Sequence, residues 1–106
     1  MNNPGGLSSV NTTELKNILI ESLKEKKSFA VFVFGSRSKN TFKKYSDVDL
    51  WIEADPSLSL REVTLLHENL EQSQLSVLVD IVTPESCLPA YLPQIQSEKK
   101  IWFTST

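Results

Sequence analysis

Apolar residues recur along this chain in two rhythms, and each predicts an element. Leu15, Ile18, Leu19 and Leu23 fall at intervals of three and four, the stripe of an amphipathic helix. Asn11, with Glu14 three residues later, predicts its start as a capping-box-like pair. Lys24, Lys26 and Lys27 sit at its far end, where cations complement the helix dipole. Phe29-Ala-Val-Phe-Val-Phe34 is apolar at every position, which predicts a central strand covered on both faces. Asp47-Val-Asp-Leu-Trp-Ile-Glu53 alternates instead and predicts a second strand. Ser59 and Glu62 form a capping box for a second helix carrying Val63, Leu65, Leu66 and Leu70. Leu75-Ser-Val-Leu-Val-Asp-Ile-Val82 predicts a third strand, broken at Thr83-Pro84. A short helix over 85–97, despite Pro89 and Pro93, and an edge strand over Lys100–Thr104 complete the pattern.

The order helix, strand, strand, helix, strand, helix, strand predicts an α/β (α+β) sandwich, a mixed sheet of about four strands flanked by helices. Residues 1–11 are small, polar and bear Gly and Pro, so a flexible N-terminal segment is expected ahead of a folded domain over 12–106. A chain of 106 residues has room for one core and no second domain.

Charge narrows the function classes. A net charge of −2 speaks against a coat that grips nucleic acid by general basicity, so no stable direct nucleic-acid binding is expected. No apolar run approaches the roughly 20 residues of a membrane span. The start lacks the pattern of a secretory signal. A lone Cys87 forms no internal disulfide and reads as a small apolar filler. These features together predict a cytoplasmic protein without membrane contact.

Three carboxylates stand out against this ordinary background. Asp47 and Asp49 are two apart on a predicted strand, so both side chains leave the same face. Two like charges so close are costly unless a cation neutralises them, and oxygen ligands suit Mg²⁺. Asp80 interrupts the third strand where the pattern calls for an apolar residue, and joins the pair if the two strands are neighbours. Alone, the Asp47 and Asp49 pair is also what a solvent-facing strand would carry, and Asp80 what a guarded sheet edge would carry. Gly35-Ser36 changes the balance. A strand ending in Gly-Ser before a helical turn offers backbone N–H groups and a hydroxyl to phosphate. Arg37, Lys39, Lys43 and Lys44 follow with no acid before Asp47, a local excess of positive charge suited to a triphosphate or, equally, a solvated loop. Phosphate cradle and carboxylate metal site together point to nucleotidyl or phosphoryl transfer with two metal ions. Of the remaining candidates, His67 reads as a partly buried helix residue, Trp51 as packing against a helix, and Trp102 as a contact for a partner protein.

Gly35-Ser36, ten residues, then Asp47-Val48-Asp49 resembles the G-S-x₁₀-D-x-D signature of the DNA polymerase β-like nucleotidyltransferases. Phe34-Gly-Ser-Arg37 and Ser46-Asp-Val-Asp-Leu50 are most similar to the minimal nucleotidyltransferase (MNT) branch, across residues 12–103. That resemblance implies the polymerase β-like core, with Asp47, Asp49 and Asp80 as catalytic and metal-binding residues and Gly35, Ser36 and Arg37 at the nucleotide. It implies two Mg²⁺ ions and ATP as donor. It also implies a HEPN-domain toxin as partner, neutralised by transfer of AMP to a tyrosine on it. Many relatives carry Gly where this chain has Asn40, a residue that tolerates the left-handed backbone of such a turn. Two other functions compete: an antitoxin that acts by occlusion alone, and an enzyme modifying small molecules such as antibiotics. The latter generally carries an added acceptor-binding domain.

Overall fold

The computed structural model describes residues 4–39 and 47–105, so the readings placed on Asn40, Lys43 and Lys44 lie outside the described residues. The elements are α1 (Ser9–Leu23), β1 (Ser28–Phe34), β2 (Val48–Asp55), α2 (Leu60–Glu71), β3 (Val79–Val82), α3 (Leu92–Glu98) and β4 (Lys100–Thr104). Short 3₁₀ turns lie at Gly35–Ser38 and Pro89–Tyr91. The sheet runs β3-β2-β1-β4. Strand β1 is antiparallel to both β2 and β4, whereas β2 and β3 are parallel. A parallel pair needs a long crossover, and α2 supplies it. The predicted element order and mixed four-stranded sheet are therefore those of the protein.

The two faces of the sheet differ. Val31 stands opposite Ile52 and Val33 opposite Leu50, and these four join Leu15, Leu19, Leu23, Leu66 and Leu70 from α1 and α2 in one core. Alternation sends Phe32, Phe34, Asp49, Trp51 and Glu53 to the other face. There Trp51 and, from α3, Ile95 are buried outside the main cluster. Strand β1 was expected to be covered on both faces; Val31 and Val33 are fully buried, but Phe32 and Phe34 only partly. The second face carries less cover, and the Lys99 ammonium supplies part of it, 4.4 Å from the Phe32 ring centroid and 5.6 Å from that of Trp51.

Further expectations are corrected. Helix α1 is capped by Ser8, whose hydroxyl accepts from the Asn11 N–H at 3.2 Å, and not by Asn11. Asn11 instead donates its side-chain amide to the Ser76 hydroxyl at 2.7 Å. The segment 1–11 was expected to be flexible, but within it Pro4 and Leu7 are buried and α1 already starts at Ser9. Leu7 is 3% exposed within the core, and Gly5, at φ +31°, lies so close to Arg37 that a Cβ would fall 2.0 Å from its carbonyl oxygen. One leucine in the right slot anchors a stretch whose composition otherwise looks loose. Replacing it tests this: Leu7→Ala is expected to cost about 2–3 kcal/mol in urea unfolding. An unchanged midpoint would mean that the segment is not docked.

The third strand is shorter than predicted, because the apolar run from Leu75 records packing and not pairing. Leu75 and Val77 lie against the core, while the ladder with β2 begins only at Val79. Another correction concerns Trp102, which is 6% exposed and part of the core, with its ring edge-on to Phe103 at 4.8 Å. It is no partner contact. Helix α3 starts later than the predicted 85–97, with Pro89 and Pro93 both at first-turn positions where a missing N–H costs nothing. Among the described residues no helix is long and apolar enough to cross a membrane.

Candidate active site

Register decides which carboxylates meet. Phe34 stands opposite Asp49 across the antiparallel β1–β2 pair, and Asp49 opposite Asp80 across the parallel β2–β3 pair. Residues directly opposite point to the same face, so Asp49 and Asp80 project side by side on neighbouring strands, which lie roughly 4.8 Å apart. Asp47 precedes β2 and is exposed, Asp80 is exposed, and Asp49 is half-buried. The Asp49 carboxyl is pushed up to about 6 by burial first, and then by the charges of Asp80, Asp47 and Glu98. Four acidic groups therefore share one electrostatic neighbourhood.

Gly35 meets this cluster from the end of β1. Its φ of +75° is left-handed backbone, and an added Cβ would fall 2.4 Å from Asp49 Oδ2. The position needs glycine twice, for its backbone and for the carboxylate beside it. The Ser38 hydroxyl donates to the Gly35 carbonyl at 2.8 Å, and the Lys39 N–H donates to the Ser36 carbonyl at 3.2 Å, which closes the 3₁₀ turn. The Gly35 N–H itself donates to Glu98 Oε1 at 3.3 Å.

Arg37 was expected to face a nucleotide. Its side chain is instead among the most buried in the chain, 2% exposed, and Nη1 donates to the Gly5 carbonyl at 3.0 Å. Burial lowers its pKa from the ordinary value, yet a guanidinium remains charged. This contact ties the Gly-Ser turn to the N-terminal segment. Lys39 is the described basic residue that turns toward the acidic cluster, through an ion pair with Glu98 at 2.5 Å.

Glu98 is the residue that sequence reasoning missed. It ends α3, accepts from Gln94 Nε2 at 3.1 Å, and is held below the usual carboxylate range chiefly by Lys39 and then Gln94. In the sequence it is one acid beside Lys99 and Lys100, and nothing local marks it. Beside it opens a cavity of about 390 Å³, lined by Phe34, Asp80, Val82, Tyr91, Ile95 and Glu98 among others. That is the low end of the volumes that accept small organic ligands.

Among the described residues no three His, Cys, Asp or Glu side chains stand together as a ready-made metal-ligand set. The donors nonetheless fit a hard divalent cation. Mg²⁺ takes one or two carboxylates and completes its shell with water and substrate phosphates, and the Asp49 carboxyl, raised first by burial and then by its acidic neighbours, carries a cost that such a cation relieves.

Residues 16–104 match the nucleotidyltransferase domain family. No curated protein sequence matches the chain. Among solved structures, a toxin–antitoxin with AMP-PNP is similar at 27% identity and TM-score 0.65, over 83% of this chain and 72% of that one. A structure from Shewanella oneidensis, a tri-AMPylated HEPN toxin in complex with an MNT antitoxin, matches at 21% identity and TM-score 0.63, over 89% of this chain and 70% of that one. At that identity it speaks for the fold alone.

Proposed function

Because this chain belongs to the nucleotidyltransferase domain family, we propose that it transfers AMP from ATP to a hydroxyl on a protein partner, a tyrosine of a HEPN-type toxin, and so acts as an antitoxin. The observation that carries the reading is the row formed by Phe34, Asp49 and Asp80 across three strands, with Gly35 in contact with Asp49. Similarity to a toxin–antitoxin with AMP-PNP supports the choice of nucleotide and partner class.

In this reading the chain's own groups do the following work. The N–H groups of Gly35 and Ser36 and the Ser36 hydroxyl donate to the phosphate oxygens. The Lys39 ammonium adds positive charge, and Arg37 holds the turn from behind through Gly5. The cavity beside Phe34 and Tyr91 receives the organic part of a reactant. Asp80, exposed at the rim, accepts the proton of the attacking hydroxyl. That oxygen bonds to the α-phosphorus while the bond to the β-phosphate oxygen breaks, and pyrophosphate leaves. Two Mg²⁺ ions held by Asp47, Asp49 and Asp80 would, when bound, neutralise phosphate charge and lower the cost of the leaving group. Leu88 and Tyr91, both apolar and exposed at the cavity, suit a protein acceptor docking there.

The test is direct. The protein, Mg²⁺ and ATP labelled on the α-phosphate are incubated with the product of the neighbouring gene, and the label is followed by mass spectrometry. Transfer of AMP to a tyrosine is the expected result, lost in Asp80→Asn. No label on the partner, together with neutralisation that survives Asp80→Asn, would leave occlusion as the mechanism.

A further inference from the structure

Three donors converge on one carboxylate at the turn where the transferase reading places phosphate. The Gly35 N–H, the Lys39 ammonium and the Gln94 side-chain amide all reach Glu98, at 3.3, 2.5 and 3.1 Å. Two of these donors belong to the Gly-Ser turn and its flank. Glu98 is only 10% exposed and sits in the field of Asp49, the like-charged neighbour whose carboxyl it helps to push up. A carboxylate placed among other carboxylates is held there by anion-binding groups, not by an apolar slot. Bringing Glu98 into this cluster is unfavourable unless those donors answer its charge.

We propose that Glu98 is the phosphate's place-holder: it occupies the donors of the Gly-Ser turn in the nucleotide-free protein and must leave when a nucleoside triphosphate enters. This rests on the transferase reading above and adds a residue that sets nucleotide affinity. The Gly35 N–H and Lys39 pass from the carboxylate to the phosphate oxygens. Lys39 is half-exposed and free to follow the exchange along its flexible stem. Glu98 moves off because the single Gly35 N–H cannot serve two anions, and a phosphate at the turn would stand against its like-charged carboxylate. As the last residue of α3, at the wall of the cavity, it has solvent to move into. The exchange also separates α3 from the turn, so the cavity between Phe34 and Ile95 opens as nucleotide arrives.

The place-holder weakens nucleotide binding, so removing its charge strengthens it. Titration calorimetry of wild type, Glu98→Gln and Glu98→Ala with a non-hydrolysable ATP analogue and Mg²⁺ reads the effect. Both variants are expected to bind the analogue about tenfold more tightly, the scale of one lost ion pair and one lost like-charge contact. Gln keeps the side-chain shape, which guards against a collapse of α3. Adenosine, which has no phosphate, is the control, and its affinity should stay within about twofold across all three proteins. A loosened α3 would instead move adenosine and the analogue together, and that result would overturn the proposal. Equal analogue affinity in all three proteins would overturn it too, with the transferase reading untouched. If none of the three binds the analogue, the transferase reading fails and this inference falls with it.

Discussion

Asp49→Asn is expected to lose nucleotidyl transfer by about a thousandfold or more while making the protein more stable at neutral pH. The two effects have one cause. Asp49 is the half-buried member of the acidic cluster, with its carboxyl raised to about 6 by burial and by Asp80, Asp47 and Glu98. Its folded-state pKa lies above its ordinary value of 3.8. Between those values the folded protein holds more protons than the unfolded chain, so stability falls as pH rises through that window. Above about 6 the full cost of the buried charge is present. Asn is near in shape and carries no charge, so the variant escapes this cost. Discounted for the solvent that reaches a half-exposed group, the gain is ~1–2 kcal/mol at pH 7.5. Below pH 4 wild type already carries the proton, and the two should converge.

Activity responds in the opposite direction. Asn offers a weaker ligand to a cation beside the triphosphate, and a thousandfold loss corresponds to about 4 kcal/mol of transition-state stabilisation. Urea unfolding at pH 7.5 and pH 4, alongside the labelled-ATP assay, checks both halves. A variant less stable than wild type at pH 7.5 would mean that the Asp49 charge is already satisfied in the fold. A variant that retains transfer would remove Asp49 from the chemistry.

Gly35→Ala should do the next most damage. Left-handed backbone costs a non-glycine residue roughly 1–2 kcal/mol, and the new Cβ would claim the space of Asp49 Oδ2, at 2.4 Å. The neighbour is the tip of a side chain, so it can rotate away, and the fold should survive. The carboxylate then stands out of place, and a displacement on the order of 1 Å is enough for a loss of about a hundredfold. The expected pattern is a stability loss of about 2–3 kcal/mol with a larger loss of transfer. A double-mutant cycle separates the two causes. In an Asp49→Ala background the clash is gone and only the backbone strain remains, so Gly35→Ala should cost less there. Equal cost in both backgrounds would mean that the turn and the carboxylate are not in contact.

Much of this arrangement was legible in the chain, but not all of it for the same reason. The element order, the α1 stripe, Leu66 and Leu70 of α2 (Leu65 faces solvent), the Ser59–Glu62 capping box and the edge strand Lys100–Thr104 follow from local periodicity and capping chemistry. So does the nomination of Gly35, Ser36, Asp47 and Asp49, because the Gly-Ser to Asp-x-Asp spacing is a linear pattern, and of Asp80, because it interrupts an otherwise apolar strand. Segment 1–11 misled because composition reports average polarity and misses a single anchoring leucine, Leu7. Arg37 misled because charge alone does not tell whether a guanidinium faces solvent, ligand or a buried backbone carbonyl.

What the sequence determined by itself was which residue types stand at which spacing, since helix and strand periods are properties of the local backbone. Only the tertiary structure decided which of them meet. Asp49 and Asp80 share a face because the parallel β2–β3 register aligns them, and a slip of one residue would have put them on opposite sides of the sheet. Glu98 reaches Gly35 across 63 residues because α3 folds back over the end of β1. Contacts of that kind arise when separate elements dock to bury their apolar faces, and no local spacing records where that docking will bring the charges.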